Sequence, residues 1–166
     1  MNRSRRLAYG FIAIAIFLMG GCAYPTKSTG QNDTKNAWQG RLALRVDSDP
    51  PQSFAAAFEL TGAAAAGELV LSTPIGTTLA ILTWSPQSAR LRSNGEVRSF
   101  DSLDALALQA TGATTIPIAS LFDWLAGVAT PTDGWQADVT QLANGRITAR
   151  RTAPLPTAEL KLVLDQ

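Results

Sequence analysis

Trp38-Gln39-Gly40-Arg41-Leu42-Ala43-Leu44-Arg45-Val46 is the stretch on which the fold turns. Leu42, Leu44 and Val46 fall on one side of an extended chain, with Arg41 and Arg45 on the other. Side chains of a strand point alternately to opposite faces, so the stretch predicts a strand with one face buried and one in water. After a loop at 47–51 the pattern repeats: Phe54, Ala56, Phe58 and Leu60 share a face opposite Ser53, Ala55, Ala57 and Glu59. Two such strands and a short connection predict a hairpin.

Working outward, residues 68–72, 77–84, 89–93 and 96–100 continue the series, which predicts six strands in meander order. Asn94-Gly95 suits a tight hairpin turn, because both central positions need a positive φ that Asn and Gly tolerate. The period then changes. Residues 102–108 suit a helix, with Asp101 or Ser102 as its cap and Gly112 beyond its end. Pro117 opens a second helix, where Ile118, Leu121, Phe122 and Leu125 form an apolar stripe, Trp124 lies beside it and Gly127 terminates it. Strands return at 135–141 and 146–151 around Asn144-Gly145, and at 159–164 after Pro154-Leu155-Pro156. The expected fold is mainly β with a helical insert. A meander this long escapes exposed edges by curling into an incomplete antiparallel β-barrel, and the apolar helices are its natural lid. The inward faces mix Leu44, Phe54, Phe58 and Leu71 with alanines, a pattern that leaves room for a cavity.

Composition excludes much chemistry. The chain has 166 residues, one cysteine and no histidine, which removes His/Cys metal sites and nucleophile–histidine pairs. No Gly-x-Ser-x-Gly stretch supports an esterase and no P-loop supports nucleotide binding, so neither an enzyme nor a cofactor is expected. Asp101 and Asp104 read as helix-start carboxylates rather than an acid pair, and Trp84, Trp124 and Trp135 as core or rim aromatics.

The N-terminus is a different kind of sequence. Arg3, Arg5 and Arg6 precede an apolar run at 7–18, which fits a secretory signal and is short for a bilayer span. Leu18-Met19-Gly20-Gly21-Cys22 resembles the bacterial lipobox, in which the cysteine thiol takes a diacylglyceryl group. A lone thiol in an oxidising compartment and a polar tether after it agree with that reading. The expected organisation is a signal peptide at 1–21, a lipidated Cys22 with its tether at 22–36, and one domain at 37–166. Of fourteen basic residues three lie in the signal, which leaves eleven against thirteen acidic ones in the mature chain. Nucleic acid is therefore not an expected partner. Ala23 is not the Asp that marks inner-membrane retention, so analogy points to the outer membrane.

Four segments carry a resemblance: residues 38–44, residues 67–77 (Gly-Glu-Leu-Val-Leu-Ser-Thr-Pro-Ile-Gly-Thr), residues 121–127 (Leu-Phe-Asp-Trp-Leu-Ala-Gly), and the strand opening at Trp135. In order and spacing they resemble the LolB outer-membrane lipoprotein receptor family over almost the whole mature chain. The resemblance implies an incomplete barrel whose apolar cavity accepts the acyl chains of other lipoproteins from a periplasmic LolA-type carrier. It also implies a monomer, lipid-anchored on the periplasmic side of the outer membrane, that inserts cargo into the inner leaflet. Candidate lining is then Leu42, Leu44, Phe54, Phe58, Leu60, Leu69 and Leu71 from the strands, with Leu121, Phe122, Trp124 and Leu125 from the second helix. Longer members carry a helix between tether and first strand, whereas here polar sequence runs almost directly into Trp38.

Pro74-Ile75-Gly76 is expected to form a turn with Ile75 at its tip. Ile75 then either folds back onto the sheet as core or, as the resemblance implies, protrudes and meets outer-membrane phospholipid during delivery. A rival reading of the whole chain is a lipocalin-like lipoprotein that binds a small hydrophobic ligand or serves as a passive envelope component.

Overall fold

The computed structural model describes residues 36–110 and 117–165. The signal, Cys22, the tether up to residue 35 and Gly112 lie outside the described residues. Among those described, nine strands form one antiparallel sheet: β1 (Ala37–Val46), β2 (Gln52–Gly62), β3 (Gly67–Ser72), β4 (Thr78–Ser85), β5 (Ser88–Ser93), β6 (Glu96–Phe100), β7 (Trp135–Asp138), β8 (Arg146–Arg151) and β9 (Ala158–Leu164). Their order across the sheet is β6-β5-β4-β3-β2-β1-β9-β8-β7. The sheet is open, with β6 and β7 at its edges, so the barrel is incomplete as expected. β1 is central because β9 returns to pair with it, Leu44 opposite Leu160 and Leu42 opposite Leu162. At Gly40 a Cβ would run into the Val163 carbonyl, so only glycine lets β1 and β9 approach there.

The alternation read in β1 holds in space: Leu44 and Val46 are buried, Leu42 is half-buried, and Arg41, Ala43 and Arg45 are exposed. Asn94 and Gly95 both have positive φ, at 53° and 81°, as the tight β5–β6 turn requires.

Two helices follow β6: α1 (Leu103–Ala110) and α2 (Ile118–Leu125). Ser102 rather than Asp101 caps α1, its Oγ accepting the Ala105 N–H at 3.0 Å. Leu106 buries against the core, and α1 packs on β5 and β6. In α2 the stripe of Ile118, Leu121, Phe122 and Leu125 is buried as expected, and Trp124 is more deeply buried still, at 0 % exposure. Gly127, at φ 87°, ends the helix with its N–H on the Trp124 carbonyl.

One strand is shorter than its apolar pattern predicts. Residues 135–141 read as continuous strand, but β7 stops at Asp138, whose Oδ1 accepts both the Thr140 N–H at 3.0 Å and the Thr140 hydroxyl at 2.6 Å. That local turn competes successfully with the sheet ladder. A 3-10 turn at Leu142–Asn144 follows, closed by Gly145 in the left-handed conformation, and delivers the chain into β8.

Candidate functional site

The concave face of the sheet and the two helices enclose a cavity of about 660 Å³. That is a size able to hold a small apolar ligand or part of a larger one. Strand register builds its wall. Leu60 on β2 pairs with Leu69 on β3, Leu69 with Leu82 on β4, Leu82 with Leu91 on β5, and Leu91 with Arg98 on β6. A row of four leucines thus crosses four strands and ends at an arginine. Leu42, Leu44 and Val46 of β1, Phe54 and Phe58 of β2, Leu71 of β3, and Leu160 and Leu162 of β9 extend the wall. Leu106 of α1 with Ile118, Leu121 and Leu125 of α2 covers it.

Nine of the eleven lining candidates therefore surround one space: Leu42, Leu44, Phe54, Phe58, Leu60, Leu69, Leu71, Leu121 and Leu125. Phe122 and Trp124 do not line it. Phe122 stands edge-on to Trp38 at 5.6 Å and to Trp84 at 6.1 Å, and these three rings pack at the end of the sheet where β2 turns into β3. Trp84 Nε1 donates to the Ala63 and Ala64 carbonyls, both at 3.1 Å, and ties that turn to the rings. Trp124 turns away from the stripe. Its ring lies 6.4 Å from Trp135, and its Nε1 donates to the Thr130 carbonyl at 2.9 Å. Arg151, buried nearby, places its guanidinium 6.0 Å from the centre of the Trp135 ring and donates from Nη2 to the Pro156 carbonyl at 2.8 Å. Burial pulls the Arg151 pKa below its ordinary value, but a guanidinium keeps its charge in proteins.

The opposite end of the sheet is built from loops. Strand direction brings residues 47–51, 73–77 and 152–157 together with the Asn94-Gly95 turn at this end. Ser48, Gln52 and Ser53 give the cavity a polar border here beside Pro156, and Phe54 next to them is 42 % exposed. This is the mouth. In the 73–77 loop the Gly76 N–H donates to the Thr73 carbonyl at 2.9 Å, the Thr77 N–H to Thr73 Oγ1 at 3.0 Å, and the Thr73 N–H to the Thr77 carbonyl at 2.8 Å. Gly76 takes a φ of 87°, which closes the turn and leaves Ile75 at its tip, 90 % exposed. Ile75 points outward and is not core.

Among the described residues Arg98 is the one charged side chain in the lining; the carboxylates and other cations of the described sheet lie away from it. Glu159, for example, sits on the convex side, accepting Lys161 Nζ at 2.7 Å and Arg150 Nε at 2.9 Å. Those hydrogen bonds, the one from Lys161 foremost, hold its carboxyl below its usual range. The cavity can shelter apolar chains, and among the described residues its walls carry no acid–base pair. Leu82, Leu91, Leu160, Leu162 and Arg98 were absent from the expected lining. Alternation marks the four leucines as facing inward, but only register shows that they meet the others and brings Arg98 beside Leu91.

Residues 35–163 match the family model described as outer membrane lipoprotein LolB. Among curated proteins, the chain is 34 % identical over 152 residues to the outer-membrane lipoprotein LolB of Cupriavidus metallidurans, an alignment covering 88 % of this chain and 72 % of the relative. It is also 34 % identical over 152 residues to that of Ralstonia nicotianae, covering 86 % and 71 %. Against that of Shewanella baltica it is 29 % identical over 167 residues, covering 93 % and 76 %. These relatives bear out the outer-membrane location and lipid anchorage expected from the leader. With its open nine-stranded sheet and helical cover, the chain belongs to the LolB family of outer-membrane lipoproteins.

Proposed function

We propose that this protein receives lipoproteins from a periplasmic LolA-type carrier, holds their acyl chains in the apolar cavity and passes them into the inner leaflet of the outer membrane. The observation that carries this reading is the leucine-lined cavity whose mouth lies at the end of the sheet from which Ile75 projects. Cys22, freed by removal of residues 1–21 and acylated, anchors the chain, and residues 22–36 serve as its tether. The domain at 37–166 works as a monomer. One long acyl chain binds a bilayer only reversibly, whereas two or three make attachment effectively permanent.

Transfer needs no bond chemistry and no nucleotide. Acyl chains move from one apolar cavity to a more favourable one and then into lipid, and the gain at each step is the removal of methylene groups from water, about 0.8 kcal/mol for each. Leu42, Leu44, Phe54, Phe58, Leu60, Leu69, Leu71, Leu121 and Leu125 contact the chains. Pro74, Ile75 and Gly76 form the loop that meets phospholipid.

Burying an isoleucine side chain in the bilayer stabilises the docked state by roughly 1.5–3 kcal/mol. That is enough to orient the mouth and too little to anchor the protein. Ile75→Glu is therefore expected to accept cargo from a loaded carrier as the unaltered protein does. Its delivery of that cargo into liposomes should fall by roughly tenfold or more, since about 1.4 kcal/mol is a factor of ten. Following the cargo by flotation after mixing carrier, receptor and liposomes checks both steps. Equal delivery by the two forms would remove Ile75 from the mechanism. Failure of the unaltered protein to take cargo at all would leave the lipocalin-like reading in possession of the cavity.

A further inference from the structure

The two most exposed large apolar side chains among the described residues are Ile75, at 90 %, and Leu155, at 78 %. Ile75 lies between β3 and β4, and Leu155 lies between β8 and β9 in Thr152-Ala153-Pro154-Leu155-Pro156-Thr157. Both connections are at the mouth end, because β3 and β8 run towards it and β4 and β9 run away from it. In sheet order the β1–β2 loop falls between them. The two tips therefore flank the cavity mouth, about four strand spacings or ~19 Å apart along the sheet.

The Leu155 loop is braced at its β9 end. The Asp47 N–H donates to the Thr157 carbonyl at 2.9 Å, the Thr157 hydroxyl donates to Asp47 Oδ2 at 2.9 Å, and Arg151 Nη2 donates to the Pro156 carbonyl at 2.8 Å. The prolines on either side of Leu155 fix their own φ. These bonds hold the loop at the rim, with the Leu155 side chain turned to solvent. The neighbouring Asp47 carboxylate is partly offset by Arg45, whose Nε lies 3.1 Å from its Oδ1, which lowers the cost of bringing the rim to a lipid headgroup.

A scattered surface leucine is ordinary. This one stands on a hydrogen-bonded, proline-flanked tip, at the same end as Ile75, in a protein held at a membrane. We propose that Leu155 is a second membrane-inserting tip, and that Leu155 and Ile75 together seat the cavity mouth flat on the phospholipid surface. One inserted side chain leaves the domain free to tilt about it, whereas two on opposite sides of the mouth fix the tilt. The proposal rests on the reading that Ile75 meets lipid, and its test separates the two.

The native chain has a single cysteine, Cys22, so in the mature lipoprotein a thiol introduced elsewhere is the one available for labelling. Leu155→Cys, Ile75→Cys and Ala43→Cys, the last on the exposed convex side of β1, are each labelled with a polarity-sensitive fluorophore. Each full-length protein is then placed in vesicles of phosphatidylethanolamine with a minority of phosphatidylglycerol, with and without lipid spin-labelled high on the acyl chain. The expected result is a blue shift and quenching at positions 155 and 75, and neither at 43. Quenching at 75 without quenching at 155 would overturn the second tip and leave the Ile75 reading standing. Quenching at 155 alone would keep Leu155 as a lipid contact but sink the Ile75 reading, and with it the two-point seating of the mouth. A probe at 155 that stays wet on vesicles but is shielded when loaded carrier is added would make the loop a protein contact and overturn the proposal. As a functional counterpart, Leu155→Asp should lower cargo delivery into the same vesicles by roughly tenfold, while Leu155→Met should preserve it. Equal delivery by the Asp and Met forms would count against the proposal.

Discussion

Trp124→Ala is expected to lower the unfolding free energy by about 3–5 kcal/mol, the range for removing a large aromatic from a packed core. Trp124 has no exposed surface, its ring packs against Trp135, and its Nε1 satisfies the Thr130 carbonyl. Truncation empties the site, leaves that carbonyl without its indole donor and unfastens α2 from the β7–β8 side of the sheet. Small domains are stable by only ~5–15 kcal/mol, so a large part of the total is at stake. Urea unfolding followed by far-ultraviolet circular dichroism checks the value. Trp124→Phe keeps most of the ring and loses the N–H, and should fall between the two. A Trp124→Ala loss well below 1 kcal/mol would mean that α2 is held by its cavity-facing stripe alone.

The second large effect concerns binding rather than folding. Leu69→Asp places a carboxylate in the middle of the leucine row, between Leu60 and Leu82. Leu69 is half-buried, so the substituted side chain can stay ionised and hydrated, and the fold should survive. An acyl chain entering the cavity would then have to strip that carboxylate of water or lie against it, and either course is costly. Acceptance of cargo from a loaded carrier is expected to fall by roughly 10–100-fold, equivalent to about 1.4–2.8 kcal/mol. Val70→Asp, one residue along and on the other face of β3, is the matched control and should accept cargo normally. Together with Ile75→Glu the variants separate two steps, for Leu69→Asp blocks entry and Ile75→Glu blocks exit.

The strands were legible because one side of the sheet faces water and the other faces apolar side chains, which forces the period-two pattern seen from Arg41 to Val46. The helices were legible for the same reason at a different period, with Ser102 and Gly127 marking one end of each. The β7 boundary was not, since an apolar pattern does not show that Asp138 will fold its carboxylate onto Thr140. The site divided in the same way. Which residues face inward follows from alternation, so the inward stance of Leu42, Leu44, Phe58 and Leu60 is legible in the sequence. Which of them border empty space depends on register and on how bulky rings pack. Phe122 and Trp124 belong to the same helix as Leu121 and Leu125, yet they fill aromatic clusters at the margins while the leucines face the void. The outward stance of Ile75 depended on the Thr73–Thr77 hydrogen bonds, which the Pro-Ile-Gly turn suggests without determining the direction of its tip. Leu155 carries no such signal, because prolines around a leucine read simply as a break between strands.

The central claim is that acyl chains of cargo occupy the space beneath α1 and α2, and adjacent positions on β1 test it directly. A photo-reactive benzoylphenylalanine at position 42 faces the cavity, and one at position 43 faces water from the convex side. After irradiation with a triacylated lipopeptide, mass spectrometry should find the acyl chain joined to the protein at position 42 and not at position 43. Equal adducts at both positions, or an adduct at 43 alone, would contradict the account.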